Sequence, residues 1–333
     1  MSAVKNPVEI FTLLGERLYR FGEDEGSRTA IAAAVAENPW FTESEIRFAV
    51  EALRCDMLQE DKLRSWLSSY DFGAVQPKRV GIIMAGNIPL VGFFDLLCVV
   101  ASGHTTIVKP SGKDRVLMRY IVEQLRDIEP EIAVFECSDD IPDAASVDAV
   151  IATGNDNARR LFKSVYADKP QLLRGSRHSV AVLSGCESAA ELEGLQRDMF
   201  CYSGLGCRNV SMLFVPVGFR PQLSGCPSNP KFFNNYTQTK ALLEMRGETF
   251  SDSGCCLLVS GDDFSPSISC IAVREYTDVS EVSAWLADHD DELQCVVTEL
   301  ISHPRRVGFG LAQRPQLTDW PDAVDVLAFL RDI

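Results

Sequence analysis

Residues 79–114 read RVGIIMAGNIPLVGFFDLLCVVASGHTTIVKPSGKD, and their order decides the fold class. Arg79–Ala85 is a short apolar run closed by Gly86, as a buried parallel strand would be. Val91–Ser102 is long enough for a helix, and Gly103 suits its left-handed C-terminal cap. Thr105–Val108 is a second strand. Strand, helix and strand at this spacing form one parallel crossover unit.

The same alternation continues outward. Asp114–Ile128 has the pattern of an amphipathic helix, Ile132–Phe135 and Ala149–Ala152 read as strands, and a helix follows Gly154 to about Ser164. Upstream, apolar residues recur at helical spacing in Val8–Tyr19, Arg28–Val35 and Ile46–Leu58, the last preceded by a Thr42–Glu45 capping-box pattern. Downstream, strands at Ser179–Leu183, Asn209–Val217, Cys255–Val259, Ile268–Val273 and Cys295–Thr298 are interleaved with helices at Ala189–Met199, Lys231–Met245 and Val279–Asp288. The expected architecture is α/β: two doubly wound α/β domains with a helical N-terminal lead. The expected divisions are 1–174 for the lead and a first α/β domain (the dinucleotide-binding domain, if a dinucleotide binds), 175–305 for a second domain, and 306–333 for a C-terminal return segment.

With 333 residues, the chain is long enough for two domains with substantial cores. A formal net charge of −15 disfavours nucleic acid or an anionic membrane surface as the main partner. Eleven cysteines in so long a chain, with no CxxC pair, argue for reduced thiols rather than a disulfide framework. Cys98, Cys255, Cys256, Cys270 and Cys295 lie inside apolar runs and read as small core residues. Four histidines without HExxH or similar spacing predict no metal site. The first 22 residues lack a signal-peptide apolar region, and the stretch Ile88–Ala101 is too short to span a bilayer. The expectation is a soluble, cytoplasmic protein.

Two nucleotide motifs are excluded. Gly112-Lys113 lacks the upstream glycine of a Walker loop, and Gly204-Leu205-Gly206 is followed by Asn209 and a strand, not by a Rossmann helix. Four other features carry chemistry. Asn87, in Gly86-Asn87-Ile88-Pro89, offers an amide donor at a strand's carboxyl end, although a turn asparagine often serves only its own backbone. Lys109, Ser111, Gly112 and Lys113 leave the second strand and suit a ribose or phosphate, or form a plain solvated loop. Gly154-Asn155 opens a helix where a flat ring could approach, although many strand–helix turns look the same. Cys207, in Gly204-Leu205-Gly206-Cys207-Arg208-Asn209, is a thiol on an approachable loop beside an arginine.

In chain order, GNIP, KPSGKD, ATGN, LLRGSRHSVAVL and GLGCRN resemble the aldehyde dehydrogenase superfamily from about Val80 onward. The wording of GNIPLVGFFDLLCVVASGHTTIVKPSGKD, GLGCRNVSMLFVPVGF and GFGLAQRPQLTDWPDAVDVLAFL is similar to LuxC-type acyl-CoA reductases. That resemblance implies that Cys207 is the nucleophile and Asn87 an oxyanion-hole amide. Lys109, Ser111, Gly112 and Lys113 would serve the adenosine side of the cofactor and Gly154 and Asn155 its nicotinamide side. Asp262, in GDDFSPS, falls where relatives place a glutamate on the nicotinamide ribose.

The departures are informative. Leu173 falls where the oxidising relatives carry a general-base glutamate, which argues against hydrolysis to a free acid. Gly112 and Lys113 replace a ribose-binding glutamate, which favours NADPH and leaves NADH open. The implied reaction is reduction of a fatty acyl-CoA to the aldehyde through a thioacyl-cysteine. A reductase of short acyl-CoA or acyl phosphate, and a non-catalytic nucleotide- or acyl-carrier-binding member of the fold, stay open. His178 reads as structural rather than as a proton relay. Phe309 is a candidate for the acyl pocket. The segment Ser69–Val80 is short for the oligomerising hairpin of larger relatives, so a homodimer is expected before a tetramer. The resemblance also allows an acyl-donating partner enzyme.

Overall fold

The computed structural model describes residues 6–73, 76–136 and 140–333. Residues 1–5, at the start of the N-terminal segment, and 74–75, within Ser69–Val80, lie outside the described residues, as do 137–139. Two compact units are formed, one from residues 1–176, 316–320 and 324–333 and the other from 177–315 and 321–323.

The first unit opens with a helical lead: α1 (Pro7–Leu18), α2 (Glu25–Glu37), α3 (Glu43–Asp56) and α4 (Glu60–Leu67). Local chemistry sets the helix starts. Asn6 accepts from the Glu9 N–H ahead of Pro7, and Thr42 accepts from the Glu45 N–H, as the capping pattern predicts. The alternating part follows as β1 (Arg79–Ile83), α5 (Phe93–Ala101), β2 (Thr105–Lys109), α6 (Arg115–Ile128), β3 (Val134–Glu136), β4 (Ala149–Thr153), α7 (Asp156–Val165) and β5 (Gln171–Arg174). These strands form a five-stranded sheet of order β3-β2-β1-β4-β5, and every pair is parallel. The order turns back beside β1, so the carboxyl ends of β1 and β4 flank the switch point where open sheets bind ligands. Phe11, Leu14, Ile46 and Leu63 of the lead share one core with Phe93, Leu96, Leu117 and Ile121. Gly103 closes α5 at a φ of 80°, as expected.

The second unit contains β6 (His178–Val182), α8 (Ala189–Phe200), β7 (Val210–Pro216), α9 (Pro230–Arg246), β8 (Phe250–Asp252), β9 (Leu257–Ser260), β10 (Cys270–Tyr276), α10 (Val279–Asp288), β11 (Leu293–Val297) and β12 (Arg306–Val307). Its sheet has the order β12-β11-β6-β7-β10-β9-β8, parallel except for the antiparallel β8–β9 pair. Ser188 and Glu191 form a capping box that starts α8, the helix leading to the Cys207 turn. The chain ends in α11 (Val326–Arg331), whose Val326, Leu327 and Leu330 join the core of the first unit.

Among the described residues, five α-helices and strands escape the sequence reading: α4, β5, β8, β12 and α11. All except α4 are six residues or shorter, too short to display a period. The expectation of reduced cysteines is corrected. Cys255 is buried, yet it is bonded to Cys226 in the proline- and glycine-rich loop ahead of α9. An apolar setting marks one partner of that bond, and nothing nearby in sequence marks the other. Among the described residues no helix is long and apolar enough to cross a membrane. No group of three potential metal ligands is present among them either.

Candidate functional site

In the first unit, the candidates gather at the carboxyl edge of the sheet. Strand register puts Ile83 of β1 opposite Lys109 of β2 and Ala152 of β4. The turns carrying Asn87, Lys109–Lys113 and Gly154–Asn155 therefore leave neighbouring strand ends. Gly86 is required by close approach: a Cβ there would stand 2.5 Å from the Ser111 side chain. Leu90 closes the turn at a φ of 57°, a conformation that costs a residue with a Cβ about 1–3 kcal/mol. The turn is tied to the next loop by Asp114, whose Oδ2 accepts the Leu90 N–H at 2.8 Å. Asp114 is fully buried, and its Oδ1 has no hydrogen-bond partner. Burial pushes its pKa well above the carboxylate range, against the Leu90 hydrogen bond.

The other candidates divide between exposure and structural duty. Gly112 and Lys113 are exposed, and a Cβ on Gly112 would meet nothing within 4 Å. Asn155 is the N-cap of α7, accepting from the Ala158 N–H at 2.9 Å. Gly154 makes room for that helix, since a Cβ would come within 2.8 Å of the Ala158 Cβ. One feature was not anticipated. Arg174, at the end of β5, donates to Asp95 at 2.6 Å and to the Thr153 hydroxyl at 3.3 Å, with both charged groups buried. A lone aspartate inside the apolar run 88–101 was its visible signal.

In the second unit, Cys207 stands at the amino edge of the sheet, three residues before β7, and the residue is exposed. The backbone leading to it is unusual. Tyr202 and Ser203 adopt φ values of 54° and 55°, followed by Gly204 at 72°. Asn209 spans this segment. Its Oδ1 accepts the Gly206 N–H at 2.7 Å, and its Nδ2 donates to the carbonyls of Asp198, Met199 and Cys201 at 3.0, 3.3 and 2.9 Å. Ser179, on β6, donates its hydroxyl to the Cys207 carbonyl at 2.8 Å. The same Oγ lies 3.0 Å from Cys295 Sγ, whose thiol burial pushes up to about 11. Asn209 stands inside the quoted motif, but a sequence shows only its position beside Arg208.

Asp198, in the last turn of α8, is buried. Its carboxylate accepts the Gly310 N–H at 2.6 Å and the Ala312 N–H at 3.0 Å. Burial raises its pKa to about 7, against those two hydrogen bonds and the charge of Arg197. Phe309, next to this contact, is half-buried, and its carbonyl carbon would lie 2.8 Å from a Cβ on Gly194. His178 stacks on Phe264 with ring centroids 4.0 Å apart. Asp262 follows the carboxyl end of β9, is exposed, and pairs with Arg274 at 3.3 Å. Leu173 is half-buried on β5, with no carboxylate at its position.

This mixed α/β fold with parallel sheets is similar to that of aldehyde dehydrogenases. The chain is 14% identical to an NAD-dependent aldehyde dehydrogenase from Sinorhizobium meliloti, at a TM-score of 0.61 over 84% of this chain and 67% of that one. It is 15% identical to aldehyde dehydrogenase C from Pseudomonas syringae, solved with NAD+ and octanal, at a TM-score of 0.59 over 85% and 70%. It is 16% identical to an aldehyde dehydrogenase from Mycobacterium tuberculosis solved with NAD+, at 0.57 over 85% and 71%. No curated protein matches the chain. The profile of the LuxC acyl-CoA reductases matches residues 37–220, a span that holds both the Asn87 and the Cys207 turns, and the chain belongs to that family.

Proposed function

We propose that the protein reduces a fatty acyl-CoA thioester to the aldehyde with NADPH, through a thioacyl intermediate on Cys207. The observation that carries this reading is the exposed residue Cys207 on a turn held by Asn209 and Ser179, in a chain of the acyl-CoA reductase family. The Cys207 thiolate attacks the acyl carbonyl and CoA leaves as its thiolate, so that one thioester is exchanged for another. The Cys207 N–H holds the developing oxyanion, and the family resemblance gives the Asn87 amide the same task. With Leu173 at the position of the oxidising relatives' glutamate, this chain offers no carboxylate there to activate water against the intermediate.

The residues of the first unit fit a nicotinamide cofactor. The parallel sheet presents its switch point at the Asn87 and Gly154 turns, and Lys109 and Lys113 supply cations for a phosphate. Open space at Gly112 and the absence of a carboxylate there suit the 2′-phosphate of NADPH, while NADH would bind without that contact. When bound, the cofactor supplies the hydride that reduces the thioester. Collapse of the resulting tetrahedral oxyanion breaks the C–S bond, returns the Cys207 thiolate and releases the aldehyde. Asp262 would serve a ribose through the oxygen not paired with Arg274, and that exposed pair is worth at most about 1 kcal/mol.

The test is turnover of tetradecanoyl-CoA with NADPH, following cofactor oxidation, free CoA and aldehyde together. The reading expects one of each per turnover, with the ratio kcat/KM falling for short acyl chains. Aldehyde formed only from acetyl-CoA or from an acyl phosphate would move the substrate to that class. Absence of turnover with all three would remove the enzymatic reading.

A further inference from the structure

We propose that Asn209 is a positioning residue for Cys207, fixing the peptide ahead of it so that the thiol and the Cys207 N–H face the same acyl carbonyl. The inference rests on the reading of Cys207 as the nucleophile, and its argument is local. The Gly206 carbonyl accepts the Asn209 backbone N–H at 3.0 Å. That carbonyl and the Cys207 N–H belong to one planar trans peptide, so fixing one direction fixes the opposite one. The Asn209 side chain completes the hold by accepting from the Gly206 N–H at 2.7 Å. On the far side, the Cys207 carbonyl accepts from Ser179 Oγ at 2.8 Å. The peptide groups on both sides of Cys207 are therefore held by named partners.

The chemistry demands an amide at position 209. The segment presents a donor, the Gly206 N–H, together with acceptors at Asp198, Met199 and Cys201, among the carbonyls that the end of α8 leaves without helical partners. At this length asparagine alone carries both an acceptor and donors. An aspartate would keep the Gly206 bond and set negative charge against three carbonyl oxygens. The segment's own backbone supplies a bond from the Leu205 N–H to the Tyr202 carbonyl at 3.1 Å. Tyr202 and Ser203 are left-handed without being glycine, and the buried Ser203 hydroxyl has no hydrogen-bond partner. An asparagine also does not titrate, so its hold does not change with pH.

Two reactions of the full-length protein separate positioning from general support. Acylation by 4-nitrophenyl acetate, read as a burst of nitrophenolate, needs the oxyanion donor. Alkylation by iodoacetamide, read by mass at Cys207, needs the thiol alone. In Asn209→Ala and Asn209→Asp, the burst should slow by about 100-fold, the scale of a lost oxyanion donor. Alkylation should stay within about threefold of the parent. Ser179→Ala, which keeps Asn209, should show the same split at about tenfold, and it stands in if the Asn209 variants do not fold. The proposal is overturned if burst and alkylation fall together, if neither falls, or if the parent shows no burst. None of these arms uses an acyl-CoA, so failure of the acyl-CoA reading would appear separately, as a parent that gives a burst but no turnover of tetradecanoyl-CoA.

Discussion

The Asn87 turn of the first unit and the Cys207 turn of the second solve one problem with different chemistry. Each contains non-glycine residues at positive φ, Leu90 in one and Tyr202 with Ser203 in the other. The first is tied by the buried Asp114, the second by the buried Asn209 and Ser179. Asp114 makes one hydrogen bond to its turn and leaves an oxygen without a partner. Asn209 reaches four backbone groups from its side chain. The settings differ as well: the first turn lies at the carboxyl edge of a parallel sheet, the second at an amino edge. The Asn87 turn, at a switch point, is located by the whole sheet and carries a light tie. The Cys207 turn, at a strand's amino edge, has a side-chain framework of its own.

The largest break in this comparison removes what the first turn carries. Asn87→Ala should lower acylation of Cys207 about 10²–10³-fold, as loss of an oxyanion donor does, with little change in melting temperature. Stopped-flow release of CoA measures it, and an unchanged rate would leave the oxyanion to backbone donors alone. Next come two near-isosteric exchanges in opposite directions. Asn209→Asp should cost about 2–3 kcal/mol of stability by loss of paired donors and by charge facing carbonyls. Asp114→Asn should change stability by less than about 1 kcal/mol at pH 7, because an amide oxygen still accepts the Leu90 N–H. Urea unfolding measures both, and equal costs would mean that the two ties are equivalent.

The pH dependence sharpens the contrast further. Asp198 releases its proton near pH 4 when unfolded and near pH 7 when folded. Between those values the folded chain binds more protons than the unfolded chain, so stability falls as pH rises through that window and then levels. Asp114, whose folded pKa is also raised, adds to the fall in the same direction. Asp198→Asn should flatten part of the slope between pH 4 and 7 and Asp114→Asn another part, while Asn209 contributes none. Thermal melts across pH 4–8 would show it, and a parent slope that survives both substitutions would contradict it.

The smallest effect concerns the cofactor loop. Gly112→Glu finds open space and should leave the melting temperature in place. An exposed carboxylate there should shift the ratio of kcat/KM for NADPH over NADH about three- to tenfold toward NADH. An unmoved ratio would take the 2′-phosphate away from this loop.

What the sequence made legible were features encoded in neighbouring residues. Apolar runs ending at Gly86 and beginning after Asn209 marked the two strand ends, and Thr42–Glu45 marked a helix start. What it hid depended on distance. Asp114 looks like an ordinary N-cap, yet its side chain makes no capping bond and turns back to Leu90, 24 residues earlier. Asn209 stood in plain view beside Cys207, but its partners on α8 come into reach only when the segment folds back. Cys226 has no apolar setting to announce its bond to Cys255, 29 residues away. The return of residues 306–333 was expected, but the six-residue α11 within it is too short to show a helical period.

The central claim is that Cys207 carries the acyl group on its way to aldehyde, and intact-mass spectrometry tests it most directly. The protein is incubated with tetradecanoyl-CoA in the absence of NADPH, beside Cys207→Ala. The account predicts a single tetradecanoyl increment on the parent, none on the variant, and loss of that increment as aldehyde when NADPH is added. An increment that persists in Cys207→Ala, or that leaves as free acid, would contradict it.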